Sequence, residues 1–386
     1  MSDTIGQSNN RPTRPAWLEV DLGQLAENFR LIRADAPDGL AIGSVVKDAA
    51  YGHGAVEVAR VALGQGAKCL LVSNLDEAAE LRNAGITAPV LLMGERMESE
   101  LPACLELGLT LAIGNAAIAE AASHLASSLG QSLSVHVKID TGMSRYGARW
   151  DASLGLVEKI AALPGLQLEG MFSHFSMSDE LDKSFAREQL ARLRAACAAV
   201  EQAGLAVRCR HLCNSGGFLD LPEAHLDMVR IGLLALGVFP SQVCRRIDGI
   251  EPVGTLKTRL AVVRDIRKGD NVGYGLSYQS PGARRLGVLP LGYGDGYPRV
   301  RNEGHVLVHG KRAPIIGANA MDSTMVDVTD IPEAAAWDEV VLMGRQGDCK
   351  ITAHDLAAWK GTVSYEVLVG WRSRLPRIHL GGETAD

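Results

Sequence analysis

Between residues 40 and 233, short apolar runs alternate with stretches whose apolar positions recur at helical spacing. Eight runs stand out, at 41–46, 68–72, 89–93, 110–113, 134–139, 167–172, 207–212 and 226–231. Each is rich in Val, Leu or Ile and short, as expected of a strand buried on both faces of a parallel sheet. The segments 55–63, 75–84, 98–107, 115–129, 151–162 and 181–203 between them read as helices, with Gly64, Gly85, Gly108, Gly130 and Gly204 placed to close them. Strand and helix repeated eight times predict an α/β fold, a closed (β/α)8 TIM barrel. The competing open doubly wound sheet would carry a glycine-rich turn after its first strand. Here that strand ends Val45-Val46-Lys47-Asp48, with no such turn following.

After Gly237 the pattern changes. Strand-like runs at 253–263, 285–291, 305–308, 314–316, 324–328 and 339–343 are punctuated by glycine, and only 353–360 reads as a helix. That spacing predicts a C-terminal, mainly antiparallel β domain. Pro240, Ser241 and Gly249 mark a boundary near 236–250, so the chain divides into a tail at 1–14, a barrel at 15–240 and a β domain at 241–386.

Composition narrows the class without changing that picture. Of 386 residues, 47% are hydrophobic and 22% charged, which fits a folded globular chain and excludes a disordered or collagenous one. A net charge of −6 offers no basic footprint for nucleic acid or anionic lipid. Seven scattered cysteines, an odd number, point to a reducing compartment and away from a disulfide framework. The polar start, 1–15, reads as a frayed tail with no signal peptide, and no apolar run reaches the ~18 residues that span a bilayer. A cytoplasmic protein is expected. No ligand pair at zinc-like spacing accompanies Cys209-Arg210-His211-Leu212-Cys213, so no metal is expected.

In a barrel of this kind, reactive groups stand at the C-terminal ends of the strands. The first strand ends in Lys47, followed by Tyr51-Gly52-His53-Gly54; the fifth ends in Lys138-Ile139-Asp140 with Arg145 beyond. The sixth reaches Ser173-His174, the seventh Asn214-Ser215-Gly216-Gly217, and the eighth Arg230-Ile231-Gly232. Small polar residues and glycines after strands seven and eight let backbone amides approach a phosphate. A lysine beside a phosphate cradle suits pyridoxal phosphate, whose aldehyde needs an amine.

These segments resemble the alanine racemase family. The similarity rests on Val45-Val46-Lys47 with Ala50-Tyr51-Gly52-His53-Gly54, on Lys138 through Arg145, and on Asn214-Ser215 and Val229-Arg230-Ile231-Gly232. It continues through Gly273-Tyr274-Gly275, Gly292 through Tyr297, Met321-Asp322 and Tyr365-Glu366, and covers roughly residues 15 to 380. The resemblance implies a pyridoxal-phosphate-dependent amino-acid racemase, first of all for L- and D-alanine, working as a homodimer with shared active sites. It implies Lys47 as cofactor lysine and one base, with Tyr274 from the second subunit as the other. Tyr51, Ser215, the Leu233 amide and Tyr365 would hold the phosphate, with His174, Asn214, Arg230 and Gly232 completing the cofactor site. Arg145, Met321 and Asp322 match substrate-binding groups, Tyr293 lines the entrance, and Lys138 matches a lysine that carries a carbamate in many members.

Arg230 is chemically informative. A guanidinium cannot give up a proton at these pH values, so it leaves the cofactor's ring nitrogen unprotonated and moderates the electron sink. The chain departs from the family pattern at Asp48, at Ala318-Asn319-Ala320, and at Leu236. A serine or broad-specificity racemase on the same scaffold therefore stays open. More distant are a barrel-plus-β-domain decarboxylase and a non-catalytic pyridoxal-binding protein.

Overall fold

The computed structural model describes residues 12–381. Most of the expected tail, residues 1–11 of 1–14, lies outside the described residues. The described residues form two compact units, one of residues 25–251 and the other of residues 12–24 with 252–381.

In the first unit the eight expected strands all form: Ala41–Val45, Cys69–Val72, Val90–Leu92, Thr110–Ile113, Leu133–Asp140, Leu166–Phe172, Cys209–His211 and Met228–Ile231. Each pairs in parallel with its neighbours, and the eighth lies beside the first with Met228 opposite Ala41, which closes the barrel. Burial of both faces explains an apolar run such as Val90–Leu92, all three of whose residues are buried. The helices between start where sequence chemistry stabilises them. Asn74 and Asn115 accept the amides of Glu77 and Ile118, each at 2.9 Å. Gly85, Gly108, Gly130 and Gly204 take positive φ just past their helices, whereas Gly64 is the last helical residue and Gly66, at φ 86°, makes the turn in its place. One interior glycine is dictated by packing: a Cβ on Gly170 would sit 2.5 Å from His136 Nδ1.

The helix Leu22–Asp35 was not among the expected elements; Asn28, buried on it, donates to the carbonyls of Ala235 and Glu251 at 2.9 and 2.8 Å. Residues 241–251 belong with the barrel, beyond the boundary read from sequence. Asp220 accepts the Arg245 amide at 2.8 Å, and Asp35 takes the Arg245 guanidinium on both oxygens.

The second unit is built around a sheet in the order Lys311–Pro314, His305–Val308, Glu339–Gln346, Gly254–Arg259, Ala16–Asp21, Arg377–Leu380. The strand Ala16–Asp21, assigned to the barrel by the sequence reading, therefore belongs here: it runs antiparallel to Gly254–Arg259 and parallel to Arg377–Leu380. The expected run 253–263 divides into Gly254–Arg259 and Val262–Ile266, which lie in different sheets. The expected strand 314–316 is displaced to Lys311–Pro314, with Ile315 making only an isolated bridge to Val326. The helix Ala353–Lys360 forms as read, with a Thr352–Asp355 capping box and Gly361 in left-handed backbone. All seven cysteines are free thiols. Among the described residues no helix is long and apolar enough to cross a membrane.

Candidate active site

Lys47 follows the first barrel strand and opens an unusual turn. Asp48, Ala49, Ala50 and Tyr51 all lie in left-handed helical backbone, with φ between 51° and 53°. For L-residues that conformation costs about 1–2 kcal/mol each, so neighbouring contacts must hold it. Glu77 supplies one of them: its carboxylate accepts the amide of Asp48 at 2.8 Å, and is itself anchored by the amide of Ser73 at 2.7 Å. The Gly54 amide donates to the Ala49 carbonyl at 2.7 Å and buried His53 donates through Nδ1 to the Tyr51 carbonyl at 2.8 Å. The turn carries Tyr51 inward, where burial raises its hydroxyl well above the usual phenol range.

That hydroxyl lies at the end of the eighth strand. A Cβ on Gly232 would come within 2.6 Å of Tyr51 Oη, so glycine is required for the tyrosine to lie against the backbone. Across from it, Ser215 Oγ accepts the Gly232 amide at 3.3 Å and the Leu234 amide at 3.4 Å. Asn214 fixes this loop by accepting the Gly217 amide at 2.9 Å and the Ser178 hydroxyl at 2.8 Å. Tyr51, Ser215 and the amides around Leu233 form a cluster of donors suited to a phosphate.

Arg230 lies behind this cradle, 3% exposed, and among the described residues no carboxylate pairs with it. It donates to His211 Nδ1 and His174 Nδ1 at 2.9 Å each, and to the carbonyls of Ser173 and Leu212 at 3.0 and 2.9 Å. No acceptor among the described residues takes its Nε proton, which remains available to a ligand. Burial depresses the pKa of His174 well below the ordinary value, and the charges of Arg230, Arg145, Lys138 and Lys47 add to the effect. The named rim residues of the barrel are thus brought into one electrostatic neighbourhood.

Lys138 is 6% exposed, and its amine donates to the Ile139 carbonyl at 3.1 Å. Burial, then the nearby charges of Arg230 and Arg145, push its pKa down to about 7. Asp140 accepts the amides of Gly142 and Ser144, both at 3.0 Å, and so shapes the loop that carries exposed Arg145.

Tyr274, Tyr293, Met321, Asp322 and Tyr365 all stand in the second unit. A short hairpin, Asn271–Val272 paired with Tyr278–Gln279, presents Tyr274, which is 73% exposed. Tyr274 and Tyr293 line one cavity of about 370 Å³ with Gly275, Arg299, Arg301, Ala318 and Asn319. The buried carboxylate of Asp295 pairs with Arg14 and, at 3.0 Å, with Arg374, and it accepts the Gly292 amide to fix the Tyr293 turn. Met321 and Asp322 are exposed, with Asp322 3.4 Å from Arg374. Tyr365, on Ser364–Val369, does not line the cavity.

Residues 20–240 match the alanine racemase N-terminal domain and residues 253–379 the alanine racemase C-terminal domain. The alanine racemase of Desulfovibrio desulfuricans is 41% identical over 368 residues, covering 95% of this chain and 98% of that protein. Among solved structures, an alanine racemase of Clostridium difficile superposes with a TM-score of 0.92 at 32% identity, covering 96% of this chain and 97% of that one. Another, from Bacillus anthracis with bound L-Ala-P, reaches 0.90 at 32% identity, over 97% and 98% of the two chains. The chain belongs to the alanine racemase family.

Of its departures from the alanine racemase pattern, Asp48 is exposed and Ala318, Asn319 and Leu236 are buried. Asn319 donates to the Pro298 carbonyl at 2.9 Å and accepts the Val300 amide at 3.1 Å. Sequence reasoning missed Glu77, which anchors the lysine turn, and the pair His136–His211 behind Arg230. Nothing local marks either: Glu77 reads as an ordinary helix residue, and His136 sits inside an apolar strand.

Proposed function

We propose that this member of the alanine racemase family interconverts L- and D-alanine with pyridoxal phosphate, as a homodimer in which two copies complete each site. The observation that carries the reading is Arg230, a buried guanidinium with a donor to spare behind a cradle of hydroxyl and amide donors. The cradle and lysine fit the group. Tyr51, Ser215 and the Leu233 amide would take the phosphate, with Asn214 and Gly232 shaping their loops, and Arg230 would give the ring nitrogen a hydrogen bond. Tyr365 joins the phosphate contacts by family resemblance. When bound, the cofactor supplies an aldehyde for Lys47 and an electron sink that acidifies the substrate Cα–H.

The chain's own groups do the rest. Arg145 and the Met321 amide bind the substrate carboxylate, Asp322 stands beside that contact, and Tyr293 lines the way in. Racemisation adds a proton on the face opposite to its removal, so two bases are needed. Lys47 serves the face from which D-alanine loses its proton. Tyr274 of a second copy serves the other, with His174, held neutral against Arg230, as its hydrogen-bond partner. Lys138, with its lowered pKa, is suited to add carbon dioxide, losing a proton and giving Arg145 an anion at short range. Seven free thiols suit a cytoplasmic setting.

Ala318 and Asn319 beside Tyr274 favour a second reading, in which serine or larger amino acids are also accepted. Discrimination of one hydroxyl or methylene is worth only about 1–3 kcal/mol. Incubating the protein with a panel of amino acids in deuterated water tests both readings. Alanine should gain deuterium at Cα and turn into its mirror image. Amine and carbon dioxide as products would mark a decarboxylase, and no exchange with any amino acid would sink the proposal.

A further inference from the structure

The strand-borne histidines behind Arg230 are not accounted for by the chemistry above. His211 Nδ1 lies 2.9 Å from Arg230 Nη1, and His211 Nε2 lies 2.8 Å from His136 Nδ1. A guanidinium only donates. His211 must therefore be bare at Nδ1, and as a neutral ring it carries its proton at Nε2. That proton points at His136 Nδ1, which must accept it, leaving the His136 proton at Nε2. The hydrogen bonds run one way, from Arg230 to His211 to His136.

We propose that His136 is a positioning residue for the reaction: by accepting from His211 it fixes the tautomer that lets His211 accept from Arg230, and so sets the direction in which the guanidinium faces the cofactor site. Three further observations support it. His136 and His211 are both buried, and Phe172 stacks flat on His211 with centroids 4.7 Å apart, so the ring cannot turn to trade nitrogens freely. The seat of His136 is cut to size, since a Cβ on Gly170 would stand 2.5 Å from its Nδ1. Burial, then the charge of Arg230, pushes His136 down to about 4, so it stays an acceptor at neutral pH.

The same pair stands with Cys209 in a group whose ligand atoms lie within 4.8 Å of one another. A metal there would need the lone pair at His211 Nε2, which the tautomer fills with a proton. The arrangement belongs to Arg230, whose other histidine acceptor, His174 Nδ1, mirrors His211.

The kinetic consequence rests on the racemase reading; the tautomers do not. Long-range proton–nitrogen NMR on the full chain, labelled in its 10 histidines and assigned by substitution, reads them directly. His136 and His211 should each show a pyridine-type Nδ1 and a pyrrole-type Nε2; a protonated Nδ1 on either overturns the proposal. His136→Leu removes the acceptor, whereas the oxygen of His136→Asn falls near the place of Nδ1. The leucine variant should lower kcat about ten-fold, the worth of one hydrogen bond, with KM little changed, and shift the visible absorbance of bound cofactor. The asparagine variant should restore the rate, the absorbance and the His211 tautomer. A leucine variant with wild-type kcat and spectrum, or an asparagine variant that loses the His211 tautomer, would contradict the role. If leucine at 136 does not fold, the wild-type tautomers and the asparagine variant decide. A wild-type chain that racemises nothing would defeat the racemase reading and leave the relay to the NMR result alone.

Discussion

Lys138 shows what a single buried charge does. Its pKa falls to about 7 in the folded chain, from an ordinary 10.5. Between those values the unfolded chain holds a proton that the folded chain lacks, so stability rises with pH across that window. Below about 7 both states are protonated and the full cost of burying the ammonium remains. In carbonate-free buffer, Lys138→Met should be more stable than the parent at pH 6, and the gain should shrink steadily by pH 9. Urea unfolding across that range checks it; a constant difference would mean the lysine does not titrate as described. Adding bicarbonate near pH 8 should stabilise the parent and leave the methionine variant unmoved, if Lys138 takes up carbon dioxide. Gly232→Ala would place a Cβ 2.6 Å from Tyr51 Oη, and should weaken cofactor binding by displacing that hydroxyl. Equilibrium titration with pyridoxal phosphate measures the loss.

At the scale of elements, the lysine-bearing turn is the least ordinary piece of backbone. Ala49→Gly should stabilise the chain by about 0.5–1 kcal/mol, the reverse of that substitution in a right-handed helix, because glycine enters left-handed backbone without strain. Glu77→Ala removes the hydrogen bonds of three backbone amides to a carboxylate and should destabilise by about 1–3 kcal/mol, with a further loss of cofactor affinity as the turn relaxes. Thermal unfolding of the two variants should shift in opposite directions; a destabilised Ala49→Gly would mean the turn is not held as described. The first four barrel strands were legible because burial on both faces leaves a short, largely apolar run in each. The last four carry polar residues such as His136, Lys138, Glu169, Arg210 and Arg230, and were legible from the strand–helix period around them. The left-handed turn was not: Asp48-Ala49-Ala50-Tyr51 holds no glycine to announce it. Nor was the home of Ala16–Asp21. Its own alternation says strand, but its partners lie more than 230 residues further on, as in the pairing of Ala16 with Thr258. Pairing at that distance leaves no local trace.

At the scale of the whole molecule, the residues proposed for the site belong to both units. Lys47, Arg145, His174 and Arg230 stand in the barrel, while Tyr274, Tyr293 and Met321 stand in the β unit. The strand ends Lys47, His174 and Arg230 were readable as one rim once the barrel period was seen. Assigning Tyr274 its part took resemblance, because an exposed tyrosine on a hairpin says nothing alone about the site it serves. If a second copy supplies it, mixing Lys47→Ala chains with Tyr274→Phe chains should recover part of the activity that each lacks; proven heterodimers without recovery would refute shared sites. The most direct test of the two-base account follows solvent deuterium into alanine for Tyr274→Phe, starting separately from each enantiomer. Loss of the phenol should suppress exchange far more from L-alanine than from D-alanine, whose proton Lys47 still removes. Equal suppression from both sides would contradict the division of labour between Lys47 and Tyr274.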